Sequence, residues 1–275
     1  MAADAGRAIV DKALDLGAVA AGIADLDLLK RSPSHHMLTR FGTRIDGEYS
    51  WDADHDLRRV DWPAAARSAI VIAVSHPRDE PELDWSGPTG QTPGNERLVR
   101  IVGSLSAWIP EKLGLSARQV PYSVEAGGVY VKDAAVLAGL GCIGRNNIVV
   151  TPEHGPRIRL CLVLVDEELS PTGPIEFDPC RDCGEPCRRA CPQAAFAKAV
   201  HTRTEVGIAA LPGRDGWYGR SRCGIQMEKD VKASGFEPDD EFGTEQQMTG
   251  PAAEPQAGGR IKWCRRCELA CPVGR

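Results

Sequence analysis

Cys180-Arg181-Asp182-Cys183-Gly184-Glu185-Pro186-Cys187-Arg188-Arg189-Ala190-Cys191-Pro192 is the stretch that decides how the second half of this chain folds. A second run answers it: Cys223, then, after a gap of forty residues, Cys264-Arg265-Arg266-Cys267-Glu268-Leu269-Ala270-Cys271-Pro272. Eight of the ten cysteines fall in these runs, and each run ends in the same Cys-Pro step. Short spacing lets one turn of chain present three thiolates to one centre, and the proline stops the helix cleanly. Soft thiolate sulfur suits iron–sulfur clusters and zinc. Two CxxC pairs could build tetrahedral zinc sites, but the repeated CxxxCP ending favours two clusters.

This pattern resembles the ligand set of a two-cluster ferredoxin, in which the last cysteine of a run ligates the other cluster. The resemblance implies one [4Fe–4S] cluster on Cys180, Cys183, Cys187 and Cys271, and a second on Cys191, Cys223, Cys264 and Cys267. Two features strain the match. Three residues, not two, separate Cys183 from Cys187, and Cys223 stands alone. Cys142 and Cys161 lie outside both runs and are expected to be small buried hydrophobes.

Outward from the cysteines, the chain is ordinary. It has 275 residues, 42% apolar and 26% charged, with a net charge of −5. That charge gives no reason to expect a dedicated nucleic-acid surface, and no apolar run is long enough to span a membrane. The sequence opens without a Sec or twin-arginine signal, so a cytoplasmic location is expected, where thiols stay reduced.

Residues 7–16 have helical spacing, and 17–24 and 68–75 read as buried strands. Residues 31–66 read as irregular. Residues 95–113 form a helix with Leu98, Ile101, Val102, Leu105 and Trp108 on its apolar face. Residues 119–125 read as extended, 129–138 as a helix ending at Gly139, and 148–151 and 157–165 as strands. Alternating helices and strands predict an α/β sandwich over 1–172. A cluster-binding domain follows over 173–275, with 238–260 expected as a surface excursion.

Gly139-Leu140-Gly141-Cys142-Ile143-Gly144 spells G-x-G-x-x-G, but with a helix before it and a strand after it. A dinucleotide fingerprint needs the reverse order, so the plain reading is a helix stop and tight turn. Glycines there would also let a flat ligand approach the backbone. The wider run from Val124 to Asn147 is similar to the central motif of epoxyqueuosine reductases. Thr151–Leu160 and Val163–Asp166 resemble a stretch those enzymes share with reductive dehalogenases, and both families carry the double cysteine runs in this order.

The resemblance implies a nitroreductase-like α/β cobalamin-binding domain followed by a ferredoxin-like double [4Fe–4S] domain. It also implies reductive chemistry at a cobalamin fed by ferredoxin or flavodoxin. Glu125 falls where the epoxyqueuosine reductases carry a catalytic aspartate, and it is either a proton donor or a solvated loop carboxylate. Tyr130 and Lys132 are further proton-donor candidates. Residues two apart do not share a helix face, so at most one faces the pocket.

Gly139, Gly141, Gly144, Arg145, Asn146 and Asn147 are candidates to cradle the corrinoid; turn chemistry explains the asparagines equally. Arg157, with Arg159, either neutralises a phosphate or solvates an outer strand face. His35, His36 and His55 read as surface residues, and Trp51, Trp62 and Trp85 as a lid over a flat cofactor or as core. Two alternatives stay open. One is an electron-transfer protein that reactivates a partner corrinoid protein without its own cobalamin. The other is a minimal tRNA epoxyqueuosine reductase, against which count the glutamate and the absence of any repeat-helix extension after the cysteines.

Overall fold

A computed structural model describes residues 2–41, 60, 62–87, 91–121, 128–235 and 259–274. In chain order its elements begin α1 (Ala2–Asp15), β1 (Ala20–Asp25), α2 (Leu26–Lys30), α3 (Pro33–Phe41), β2 (Ser68–Ser75), β3 (Trp85–Ser86) and α4 (Pro93–Leu113). Then come β4 (Ala117–Gln119), α5 (Val131–Leu137), β5 (Cys142–Ile143), β6 (Val149–Val150) and β7 (Ile158–Val165). The cysteine-rich half adds α6 (Pro186–Arg189), α7 (Arg203–Val206), α8 (Arg220–Ala233), β8 (Ile261–Lys262) and α9 (Arg266–Leu269).

The central sheet has the order β1-β2-β7-β4, with every pair antiparallel. Strand side chains alternate between faces, and the register fixes which go where: Ile70 lies opposite Val163 and Ile72 opposite Cys161. Ile70, Ile72, Val74, Cys161, Val163 and Val165 pack with residues of α1 and α4. Ala69, Val71, Ala73, Leu160, Leu162 and Leu164 pack with residues of α2 and α5. Both faces are covered, which is why β2 and β7 are continuous apolar runs rather than alternating ones. Truncating Ile72, fully buried at the centre, would cost about 2–5 kcal/mol.

α4 shows how local signals set an element. Thr92 caps it by accepting from the Asn95 amide at 3.2 Å, Pro93 opens it, and Gly114 closes it at φ 68°. Leu98, Ile101, Val102, Leu105 and Ile109 form its buried stripe. Trp108, expected on that face, sits at its edge, half-buried.

Two expectations of irregularity are corrected. Within 31–66, residues 33–41 form α3, and the cysteine-rich half contains the 14-residue helix α8. α8 buries no residue and α3 is only nine residues long, so periodicity alone did not reveal them. The expected excursion at 238–260 lies outside the described residues up to 258. The two halves are stitched by backbone pairing: β3 pairs with β8, Trp85 opposite Lys262 and Ser86 opposite Ile261. The Trp263 indole donates to Ser86 Oγ at 2.9 Å, and the Lys262 ammonium sits 4.6 Å from the Trp85 ring centre. Trp85 is therefore a seam residue rather than a lid.

Candidate metal and cofactor site

The eight run cysteines are free thiols. Cys187 and Cys271 each lie within electrostatic reach of Cys180 and Cys183. Cys264 and Cys267 each lie within reach of Cys191 and Cys223. The thiols thus form two groups of four, with Cys271 joining the first run and Cys191 the second. Burial, then neighbouring thiolates, pushes Cys267 up to about 12; burial also pushes Cys187 up to about 11. Gathering four thiolates is unfavourable without a cation to neutralise them, and an iron–sulfur cluster suits such a donor set. Among the described residues, no three His, Cys, Asp or Glu side chains converge on a site for a single metal ion.

Surrounding groups fix the backbone of these runs. Asp178 accepts from the Cys180 amide at 3.1 Å and is held by Arg214 through two hydrogen bonds of 2.5 and 2.7 Å. Its carboxyl is lowered to about 2, chiefly by the Arg214 hydrogen bonds. Asp230 on α8 accepts from the Cys264 amide at 2.8 Å, and Cys191 Sγ accepts from the Ala195 amide at 3.3 Å.

A buried ion network holds the second run against the sheet. Asp84 Oδ1 lies 2.8 Å from His76 Nδ1, contacts Arg159, and through Oδ2 meets Arg265 at 2.5 Å. Arg265 also binds Glu268 and donates to the His76 carbonyl at 2.5 Å. Burial opposes ionisation of Asp84, but the His76 hydrogen bond and the charges of His76, Arg159 and Arg265 outweigh it and hold the carboxyl below the usual range. The sequence reading missed this network. Its one available signal was a pair of arginines inside a ligand loop, Cys264-Arg265-Arg266-Cys267.

Arg157 and Arg159 neither solvate an outer face nor present a free phosphate site. Arg157, 4% exposed, donates to the Val273 carbonyl at 2.7 Å, just past Cys271. Arg159 donates to Asn95 Oδ1 at 2.6 Å and pairs with Asp84, while its Nε is buried without a hydrogen-bond partner. Arg159 lies on β7 as its alternation predicts and Arg157 immediately precedes the strand, but the neighbouring segments turn that surface inward.

The glycine turn is a brace between the two halves. Gly139, at φ 76°, ends α5, and a side chain there would meet Thr172 and Gly173 at 3.0 Å. A side chain on Gly141 would meet the Val150 carbonyl at 2.0 Å, and one on Gly144 would meet Asn146 and Val150 at 2.8 Å. The tight β5–β6 hairpin itself therefore requires small residues at these positions. Arg145 pairs with Glu185, and the Arg145 carbonyl accepts from Arg188 Nε at 2.9 Å. Asn147, at φ 60°, accepts the Gly213 amide on its side chain at 3.1 Å and the Lys132 ammonium on its carbonyl at 2.9 Å.

Asn146 differs from these neighbours. It is 4% exposed, its Oδ1 accepts from the Ile148 amide at 3.4 Å, and its Nδ2 is buried without a partner. An orphaned amide N–H group is costly and is the feature of this turn that fits an acceptor on a bound cofactor.

Tyr130 and Lys132 diverge, as their spacing predicts. The Tyr130 ring packs edge-on against His35, with centroids 4.8 Å apart, while Lys132 turns towards Asn147 and Cys223. Burial lowers the Lys132 ammonium to about 8. Glu125 lies outside the described residues, as do His55 and Trp51.

His35 is a correction: it is 7% exposed, not a surface residue. Ser32 Oγ donates to Asp133 Oδ2 at 2.7 Å, so His35 Nδ1, 2.9 Å away, must donate to Ser32. Nε2 is then the acceptor facing the Tyr130 amide at 3.4 Å. The imidazole is neutral; burial lowers it to about 4 against the opposing charge of Asp133. Trp62 packs 5.5 Å from the same ring. Cys142 is a second correction. It lies outside both runs in sequence, yet within electrostatic reach of Cys180 and Cys271, because the hairpin turn at Arg145 is held against Glu185 and Arg188 of the first run. Burial, then Cys180, pushes it up to about 11. Cys161 is buried in the core, as expected.

No protein-family profile matches the chain. Tetrachloroethene reductive dehalogenase of Dehalobacter restrictus is 36% identical over 200 residues, covering 68% of this chain and 34% of that protein. Epoxyqueuosine reductase of Gloeobacter violaceus is 30% identical over 206 residues, 69% of this chain and 60% of that protein. The chain thus spans about a third and three fifths of the lengths of these relatives. The structure of epoxyqueuosine reductase from Bacillus subtilis superposes with a TM-score of 0.61 at 21% identity, over 98% of this chain and 65% of that one. A reductive dehalogenase structure described for B12-dependent dehalogenation superposes at 0.53 and 22% identity, over 82% and 30%. The fold is shared with both, and the resemblance read from the 124–147 motif and the cysteine runs is borne out.

Proposed function

From the premise that this chain is a homologue of the reductive dehalogenases and the epoxyqueuosine reductases, we propose that it is an oxidoreductase holding two [4Fe–4S] clusters beside a cobalamin. The observation that carries this is the sorting of eight thiols into two groups of four, with the last cysteine of each run crossing to the other group. Cys180, Cys183, Cys187 and Cys271 would hold one cluster; Cys191, Cys223, Cys264 and Cys267 the other. When bound, the clusters supply single electrons and the corrinoid supplies a strongly reducing metal centre.

The chain's own residues position and protect. Asp178 and Asp230 hold the backbones of two ligand cysteines, and the Asp84–Arg265 network seats the second run on the sheet. Asn146 offers an unpaired amide N–H group to a corrinoid acceptor. Glu125 is the proton donor of this reading, with Tyr130 next. Arg145, Asn147 and Arg157, also candidates from the sequence, brace the two halves. Ferredoxin or flavodoxin is the proposed donor, and the cytoplasm the proposed location. Among the described residues, no helix is long and apolar enough to cross a membrane.

Anaerobic reconstitution tests the ligand sets. The native sequence is expected to take up about eight irons and eight sulfides. Cys271→Ala and Cys191→Ala should each lose a different cluster, seen as two distinct residual EPR signals. Zinc in place of iron in protein purified without oxygen, or one signal surviving both substitutions, would overturn the assignment.

A further inference from the structure

We propose that the exposed face of α8 is the docking surface for an acidic single-electron carrier protein. The proposal rests on reading Cys191, Cys223, Cys264 and Cys267 as the ligands of one cluster. α8 has fourteen residues, and none of them is buried. Its inner side is committed. Cys223 points into the thiol group, Gln226 pairs with Gln193 and Asp230 at 2.8 and 2.7 Å, and Asp230 holds the Cys264 amide. Its outer side is not polar all round. Arg222, Ile225, Lys229 and Lys232 recur at helical spacing and are all exposed. Ile225, 44% exposed, lies within this stripe, and the exposed Glu228 borders it beside Lys232.

The basic surface continues beyond the helix. A cleft of about 140 Å³ between the first turn of α8 and the loop after Cys191 is lined by Lys198, Val200, Gly219, Ser221 and Arg222. Lys229 reaches Gln193 at 3.5 Å, beside that same loop. Positive groups therefore gather directly outside one set of cluster thiols, in a chain whose net charge is −5.

An exposed apolar residue flanked by basic ones suits a small, transient redox interface, and complementary charge speeds its encounter. One helix separates the stripe from Cys223, so a docked carrier would sit within about 10–12 Å, a helix diameter, of the thiol group. The step is a single electron leaving the carrier's reduced centre, which is oxidised, and entering the group held by the four cysteines, which is reduced. No bond forms or breaks, and no further reactant is needed. A nucleic acid fits less well, because a backbone-tracking surface needs a longer basic run.

The test uses anaerobically reconstituted protein and a plant-type [2Fe–2S] ferredoxin, whose surface is acidic. The Lys198→Glu/Lys229→Glu protein should bind oxidised ferredoxin about tenfold more weakly, with a flatter salt dependence. Its second-order rate of reduction by reduced ferredoxin should fall by a similar factor. Reduction by methyl viologen, a small cation, should hold or rise. Iron content and EPR are read on the same samples, and Lys198→Ala/Lys229→Ala serves if charge reversal impairs reconstitution. Unchanged ferredoxin affinity and rate with clusters intact would overturn the docking surface. So would loss of tRNA stem-loop binding with ferredoxin kinetics unaltered. Absence of the clusters in the unsubstituted protein would instead overturn the ligand reading beneath it.

Discussion

His35 shows most clearly what a single residue does here that its sequence context hides. Its burial depends on Ser32, Asp133, Tyr130 and Trp62, which are brought together from three separate segments. With a folded value near 4 and an unfolded one near 6.5, the unfolded chain takes up a proton that the folded chain refuses. The associated stability is complete above about pH 6.5 and is lost as pH falls towards 4, by up to about 3 kcal/mol. Urea titrations at pH 7.5 and 5 should show this loss, and His35→Asn should flatten the difference. An equal pH dependence in both proteins would refute the buried neutral imidazole. Cys161 carries the opposite expectation. Cys161→Ala should cost about 1 kcal/mol by chemical denaturation and leave the iron content unchanged, because it packs in the core. Cys142 was grouped with it from sequence, wrongly, since nothing local shows that the 37 intervening residues bring the first run back to it.

At the scale of elements, the strongly periodic segments were legible and the weakly periodic ones were not. β2, β7 and α4 follow from their apolar patterns: β2 has the expected bounds, and β7 and α4 differ by one and two residues at their starts. α8 has no buried residue and α3 is only nine residues long, so their helices depend on neighbours the pattern cannot report. The glycine turn was read correctly as a stop. Its glycines answer first to Thr172, Gly173 and Val150, whereas the sequence offered a ligand as the alternative reason. α9 hangs on Arg265, which joins Asp84, Glu268 and two backbone carbonyls. Arg265→Met should destabilise by about 3–5 kcal/mol in urea unfolding, because buried carboxylates lose their partner. Arg265→Lys should recover only part of this, since an ammonium cannot span the same four acceptors. Near-neutral loss in the methionine variant would show that the network does not seat the second cysteine run.

For the whole molecule, the cysteine spacing carried the architecture further than any other signal. The crossing of Cys191 and Cys271 between groups ties the two runs into one unit, and β3–β8 pairing ties that unit to the sheet. What spacing could not show is how the α/β half meets it: the Arg145–Glu185 pair, the Asn147–Gly213 contact and the Asp84 network are all contacts between distant residues. The orphaned Asn146 amide lies in the turn that makes this junction, where a flat cofactor could be held beside the clusters. The most direct test adds cob(II)alamin to anaerobically reconstituted protein and follows the cobalt EPR spectrum. Conversion at one equivalent of protein to a base-off signal is the predicted result. An unchanged cobalamin spectrum beside intact cluster signals would contradict a bound corrinoid and leave a protein that only passes electrons to a partner.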